Sequence, residues 1–454
     1  MCSDTEIPEI SGATPLPPPQ EAPVESLPTP LIFNAIQRSS HLLRIIIDID
    51  KAMTNAVLLQ TTEHFRNSSF GGFDLKKVPS EYVQEMYAAE IFGHTKDYFF
   101  HHIAIDFLMD EIIAHKIALV NYPRFVTVEV TPDQKISYHF DLSIADALEL
   151  KEWKHFAFRS PKRKRYKDLD KQVCSFVESR HNQSRRLNYT LVEEDDWVLF
   201  ETTLLDCKNN PVHYGCRSSF WIKLGRQELS DSLASQLINK SIGDSFQTTS
   251  FSGYAPSNQT GECCYSFLVT IKSLIKCGHT SLEVLKTTFR LKNKTDVHNK
   301  LMEIFSYRND ISQRQAIVDE VFHLLLSKHR FEVPKHLILR REEDIIGNLS
   351  RQPDYHVYKS QEDFQTSVEM LAEKQLKEEI IIDQIAYTEN IKVDLKDTIN
   401  YLYLLSSKRL KEFIYFKPLL ERIEETSSPI NISTISQAVM REKTLNFIIH
   451  SLTK

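Results

Sequence analysis

Glycine is scarce in this chain: 11 of 454 residues, against the roughly 7% usual in soluble domains. Few positions can then take left-handed backbone or let a phosphate approach the main chain closely. Few phosphate-cradling loops and few tight hairpins are therefore expected, and long helices are favoured. The glycines are also unevenly placed. Gly215, Gly225, Gly243, Gly253 and Gly261 share one stretch, and Gly71-Gly72 is the only adjacent pair.

That distribution divides the chain. Residues 1–30 carry Pro8, Pro15, Pro17, Pro18, Pro19, Pro23, Pro28 and Pro30 among small and acidic residues. Such a stretch buries too little apolar surface to offset its ordering entropy and is predicted to be a disordered tail, with a PxxP ligand as the sharper alternative. Residues 31–148 read as a small α+β domain, with order beginning near Leu42. Leu43, Ile45, Ile47 and Ile49 alternate like a strand, and residues 51–65 have helical spacing. Gly71-Gly72 marks an exposed loop, and Pro79-Ser80 opens a helix. A longer helix over 96–119 has Phe99, Ile103, Leu108, Met109 and Ile112 as its buried stripe. Residues 125–130 and 136–142 form a hairpin turned by Pro132-Asp133. Residues 149–186 are a charged helical linker whose basic run, 162–167, reads as a solvated face; ribosomal RNA phosphate is its alternative partner. Residues 187–277 are β-dominated, with strands at 197–200, 219–224, 246–249 and 265–271. From 278 to 454 the chain is helix-forming, entered by a capping box at Thr280-x-x-Glu283. The fold class is multidomain α+β: an α+β unit, a β-rich unit, then an all-α unit.

Charge and cysteine usage narrow the function. Fifty-five basic against 61 acidic side chains leave a net charge of −6, so nucleic acid could be met only by a local patch. The seven cysteines show no CxxC and no zinc spacing, there is no HExxH, and no metal or cofactor is predicted. No stretch reaches the roughly 20 apolar residues of a membrane span. Asp4, Glu6 and Glu9 precede the first basic residue, Arg38, unlike a signal peptide. A cytoplasmic protein with no membrane contact is expected.

Three segments carry a resemblance. Phe331-Glu332-Val333-Pro334 follows a helix over 316–328. Leu376-Lys377-Glu378-Glu379-Ile380-Ile381-Ile382-Asp383-Gln384-Ile385-Ala386 then leads to Glu389-Asn390-Ile391-Lys392-Val393. With the tripartite order, this C-terminal pattern resembles trigger factor, the family of ATP-independent bacterial chaperones that hold nascent chains at the ribosome. Gly72-Phe73-Asp74-Leu75-Lys76-Lys77-Val78-Pro79 is similar to the family's ribosome-docking signature, G-F-R-x-G-K-x-P. Gly72, Phe73, Lys77 and Pro79 match it, whereas Asp74 replaces the Arg and Lys76 the second Gly. The β-rich unit resembles the family's FKBP-like prolyl isomerase domain.

The resemblance implies a ribosome-binding unit at 31–148, an isomerase-type unit at 187–277 and a helical substrate-binding unit at 278–454 with extended arms. The arm candidates are residues 299–306, 310–328, 335–349, 367–388 and 396–414. It implies the ribosome and unfolded or nascent polypeptides as partners; dimerisation is common in the family when free, and nothing in this sequence specifies it. The isomerase pocket falls on Phe200, Thr202, Phe220, Ile222 and Leu233. Twisting a prolyl amide over its barrier of roughly 18–20 kcal/mol needs a dry apolar pocket. Here the family's Ile-Pro-Gly-Phe segment is Ser230-Asp231-Ser232-Leu233, and its Asp-Phe-Thr-Gly strand end is Glu201-Thr202-Thr203-Leu204. Weak or absent isomerase activity is expected. An active isomerase and a chaperone that has left the ribosome remain the alternatives.

Overall fold

The computed structural model describes residues 31–66, 78–130, 135–146, 148–158, 168–184, 191–225, 233–249, 251, 265–276, 291–308, 311–406, 411, 414–418 and 429–453. The proline-rich tail, Pro132-Asp133, the basic run at 162–167 and the Thr280 capping box lie outside them.

The first unit contains β1 (Leu31–Ser39), β2 (Leu42–Ile49), α1 (Lys51–Arg66), α2 (Ser80–Met86) and α3 (Ala88–Phe99). A π-helical turn (Phe100–Ala104) joins α3 to α4 (Ile105–Ala114), and β3 (Arg124–Val130) and β4 (Ile136–Ser143) follow. The strands form an antiparallel sheet in the order β1-β2-β4-β3. A strand is therefore present from Leu31, ahead of the onset expected near Leu42. β1 is an edge strand with little buried, Ile32 and Ile36 being exposed, so it carries no period-two apolar signal and is held by backbone pairing with β2. The helix expected over 96–119 begins earlier, ends at Ala114 and is broken by the π turn.

The linker supplies α5 (Leu169–Ser184). The second unit contributes β5 (Trp197–Leu205), β6 (Arg217–Lys223), α6 (Leu233–Leu237), β7 (Ser245–Thr248) and β8 (Ser266–Ile275). The helical part contains α7 (Lys294–Arg308), α8 (Ile311–Lys328), α9 (Lys335–Leu349), α10 (Tyr355–Lys359), α11 (Phe364–Thr388), α12 (Leu395–Ser406), β9 (Ile430–Asn431) and α13 (Ile432–Leu452). α12 stops well short of residue 414, and α13 was not among the expected arms.

The second sheet runs β7-β8-β5-β6-β9, all antiparallel. Its last strand comes from the helical part: Ile430 and Asn431 pair with Trp221 and Phe220. Both faces of this sheet are covered. Val198, Phe200, Leu204, Phe220 and Ile222 join the core that continues into the first unit. Trp197, Leu199 and Trp221 enter a second core with α5, α7, α12 and α13. The Trp197 indole donates to Ser406 Oγ at 2.6 Å, tying β5 to the end of α12. A strand such as β5, with apolar residues on both faces at Trp197–Phe200, is stable only as a central layer of this kind.

The outer helices are anchored by α13, which packs on α4, α11 and α12. Its Arg441 sends two hydrogen bonds to Asp383, at 2.9 and 2.8 Å, from within the protein interior. Among the described residues no helix is long and apolar enough to cross a membrane.

Phe220 and Trp221 are neighbours on one strand with fully buried side chains on opposite faces. Phe220→Ala and Trp221→Ala should each cost about 3–5 kcal/mol in urea unfolding. A loss below about 1 kcal/mol for either would mean its face is not packed.

Candidate functional site

α9 and α11 form a helical hairpin capped by α10, and the burial along α11 shows where it leaves the body. Residues Ile380, Ile381, Ile382, Asp383, Ile385 and Ala386 are buried on all sides of the helix. In the preceding half only Val368, Ala372 and Leu376 are buried, at four-residue steps that give a single stripe. Leu376 and Ala372 pack with Leu337 and Ile338 of α9, and the hairpin's base rests on Val120 of the first unit. The rest of the distal surface faces solvent, including Val357 at 64% and Met370 at 67% exposure, with Tyr358 and Leu371 also exposed. These are large apolar groups left without cover.

A cavity of about 570 Å³ opens at the base of this hairpin, between the first unit and α9, α11 and α13. Its apolar side carries Phe100, Leu108, Met109, Phe125 and Phe140; Phe100 and Phe125 meet edge to face with ring centroids 5.1 Å apart. The facing side carries Arg341, Glu378, Glu379, Tyr415, Phe416 and Arg441.

The charged side is a cross-linked network. Arg341 grips Glu379 through two hydrogen bonds of 2.9 and 2.8 Å and donates a third, 3.0 Å, to Asn121 of the first unit. Arg441 bridges Glu379 at 3.0 Å and Asp383 at 2.8 Å. Burial opposes the ionisation of Glu379, but Arg441 and Arg341 outweigh it and hold this carboxyl below its ordinary value. Two guanidiniums and two carboxylates thus neutralise one another.

Glu378 is outside that balance. Burial pushes its carboxyl up to about 7, against the hydrogen bond of 2.7 Å donated by the Tyr415 hydroxyl to Oε2. The other oxygen, Oε1, has no hydrogen-bond partner and lies 3.8 Å from Lys374 Nζ. The cavity thus offers aromatic surface on one side and, on the other, a carboxyl that burial pushes up to about 7. That suits side chains of an unfolded peptide, with an apolar body and a polar tip.

The residues singled out in the sequence fall elsewhere. Phe200, Thr202, Phe220, Ile222 and Leu233 are all buried, and Phe200, Phe220, Ile222 and Leu233 belong to the core shared with the first unit. The π turn carries His102 into this aromatic face. Its ring stacks on Tyr98 at 4.7 Å and Phe267 at 5.2 Å and approaches Phe251 and Phe220 at 5.1 and 5.5 Å. Burial, with a smaller contribution from His101, pushes His102 down to about 3, so the ring is neutral there. The adjacent His101 carbonyl accepts a 3.1 Å hydrogen bond from Asn431, joining the first unit to the last strand. Of the docking-loop residues, Gly72, Phe73, Lys76 and Lys77 lie outside the described residues. Pro79 is the extended N-cap of α2.

Sequence reasoning did not bring the cavity together. Its lining comes from segments some 200–300 residues apart, and its aromatic residues look like ordinary core. A usable signal was present in α11: Glu378, Glu379 and Asp383 stand inside an otherwise apolar run, a pattern that demands buried partners.

Comparison with known proteins agrees with the segment that matters most. Residues 294–450, which contain the hairpin and α13, match the family model for the bacterial trigger factor protein C-terminus. The chain is 21% identical over 377 residues to the trigger factor of Geobacter metallireducens, covering 79% of this chain and 84% of that one. It is 21% identical over 341 residues to the Clostridium beijerinckii trigger factor, covering 71% and 77%. Against that of Desulforamulus reducens it is 19% identical over 440 residues, covering 92% and 96%. A solved structure described as "Promiscuous Substrate Recognition in Folding and Assembly Activities of the Trigger Factor Chaperone" is similar at 14% identity and a TM-score of 0.33, covering 93% of this chain and 100% of that one. The family model and the relatives support a chaperone role. They further support a trigger factor family member, and identities near 20% make it a divergent one.

Glu378 gives the cavity a testable pH signature. The folded chain keeps its proton up to about pH 7, whereas the ordinary value is 4.5. The native state therefore binds more protons between these limits, and stability falls as pH rises through them. Glu378→Gln retains the Tyr415 contact and removes the titration. Relative to wild type, it should gain up to ~3 kcal/mol in urea unfolding between about pH 4.5 and about pH 8. A difference that does not change with pH would show that this carboxyl is not desolvated.

Proposed function

We propose that this chain is a trigger-factor-type chaperone that holds unfolded or nascent polypeptides without ATP, using the α9–α11 hairpin and the cavity at its base. The observation that carries the reading is the uncovered apolar surface of the distal hairpin, at Val357, Tyr358, Met370 and Leu371. Each exposed side chain buries only enough area for ~1.5–3 kcal/mol against a client. Several such contacts on one rigid hairpin add through effective concentration, so a client is retained yet released as it folds. The Arg341–Glu379–Arg441–Asp383 network keeps the hairpin's base fixed while its tip stays bare.

In this reading the first unit docks on the ribosome through the loop containing Gly72, Phe73, Lys76, Lys77 and Pro79, and the protein works in the cytoplasm. Asp74 favours a second reading, a chaperone that has left the ribosome, because a reversed charge at an interface opposes binding to an acidic partner surface. The second unit is an isomerase-type domain with little or no activity. Its aromatic face at Phe220, Phe251 and Phe267 is filled by His102, which leaves no dry slot for a proline.

Replacing Val357, Met370 and Leu371 together by Ser should lower suppression of aggregation of a denatured test protein several-fold, with the melting temperature unchanged. Full suppression by this variant would remove the hairpin from the mechanism. In co-sedimentation at several salt concentrations, wild type should pellet with ribosomes and Phe73→Ala should not. If neither pellets at low salt, the ribosome-free reading stands. A proline-peptide assay should show no acceleration over the uncatalysed rate; turnover typical of a good isomerase would mean that the aromatic face opens.

A further inference from the structure

Away from the cavity, α5 packs on α7 along a seam whose floor is Val173 and Phe176 against Val297 and Leu301. On the rim of that seam stand Asp170 and Cys174, four residues apart and so on one face of α5, with His298 reaching over from α7. His298 Nε2 lies 2.6 Å from Asp170 Oδ1, although the two are 128 residues apart in sequence. The carboxylate oxygen, the thiol sulfur and the imidazole nitrogen all lie within 4.8 Å of one another. We propose that Asp170, Cys174 and His298 form a transition-metal site of the zinc class that staples α5 to α7.

The donor set argues for the metal. Mg²⁺ and Ca²⁺ favour all-oxygen surroundings, whereas thiolate with imidazole selects Zn²⁺ and its softer neighbours. Zinc bonds of about 2.0–2.3 Å place the ligand atoms of a tetrahedral site roughly 3.3–3.8 Å apart. To reach that size the Asp170–His298 pair opens from 2.6 Å while the thiol sulfur stays within 4.8 Å of both, a change for side-chain rotation, and the exposed rim leaves the fourth position to water. An Asp170–His298 ion pair alone would account for two of the residues, but an exposed pair of this kind contributes little. On binding, the metal takes the place of the Cys174 thiol proton, which leaves to solvent, and bonds to neutral His298 and ionised Asp170. The chain between the two helices includes strands β5 to β8 of the second sheet, so the metal closes a long loop and clamps the outer helical layer onto that sheet. Sequence spacing could not reveal the site, because its third ligand lies far along the chain.

Cobalt(II) is the probe. Titrated into the full-length reduced protein, it should bind one ion per chain and give the thiolate-to-cobalt charge-transfer absorption and the strong visible bands of a four-coordinate site; Zn²⁺ should displace it. Cys174→Ser should abolish the charge-transfer band, and His298→Ala should weaken binding about tenfold or more. Without metal, both variants should match wild type in far-UV circular dichroism and melting temperature. Zn²⁺ should raise the melting temperature of wild type and leave Cys174→Ser unchanged. The proposal is overturned if no stoichiometric cobalt binding occurs, if the band survives in both variants, or if Zn²⁺ shifts wild type and Cys174→Ser equally.

Discussion

A strand that is apolar on both faces needs a partner layer on each, and β5 imposes that requirement on the whole molecule. Val198, Phe200 and Leu204 look one way, Trp197 and Leu199 the other, and among the described residues the two sets are covered from outside the second unit as well as from within it. The first unit therefore presses Tyr98 and His102 onto one face. The linker helix, α7, α12 and α13 close the other. Even the final strand of the sheet, Ile430–Asn431, is borrowed from the helical part. Segments that read as successive units along the sequence are thus held together by shared cores.

This arrangement has consequences for chemistry. The aromatic face of the second sheet is used to hold the first unit in place, with the neutral His102 imidazole packed against Phe220, Phe251 and Phe267. Burying His102 there is tolerable because the ring is held unprotonated and flanked by aromatic edges and faces. The uncovered apolar surface lies on the α9–α11 hairpin. There, buried charge replaces buried hydrocarbon at the root of the hairpin, and the hydrocarbon is displayed at its tip. A bidentate Arg–Glu pair fixes direction as well as distance, which suits the base of a projecting element better than apolar packing alone.

Much of this was legible in residue patterns where local chemistry decides. The alternation from Leu43 to Ile49 gave β2, and the helix over 335–349 was read with the bounds it has. The Phe331-to-Val393 motif marked the region that the C-terminal family model also matches. Where long-range contacts decide, reading stopped short. β1 packs only Leu31 and Phe33 partly against the core and is held along the rest of its length by pairing with β2, so its pattern is a weak strand signal. The helix over 96–119 kept its stripe, yet the π turn at Phe100–Ala104 depends on what His102 and the His101 carbonyl meet in two other parts of the chain. α13 is amphipathic on no single side because it is surrounded, which removes the period that announces a surface helix.

The sequence by itself determined the element types, the order of α+β, β-rich and helical segments, and the want of glycine-built nucleotide loops. These follow from backbone preference and from periodicity, both of which act within about a dozen residues. Only the tertiary structure decided which apolar faces became core and which stayed bare, that His102 fills the aromatic face, and that burial raises the Glu378 carboxyl beside a cavity. Those outcomes depend on which distant side chains share a low-dielectric space, and burial and electrostatic pairing are set by the whole packed chain rather than by its neighbours in sequence.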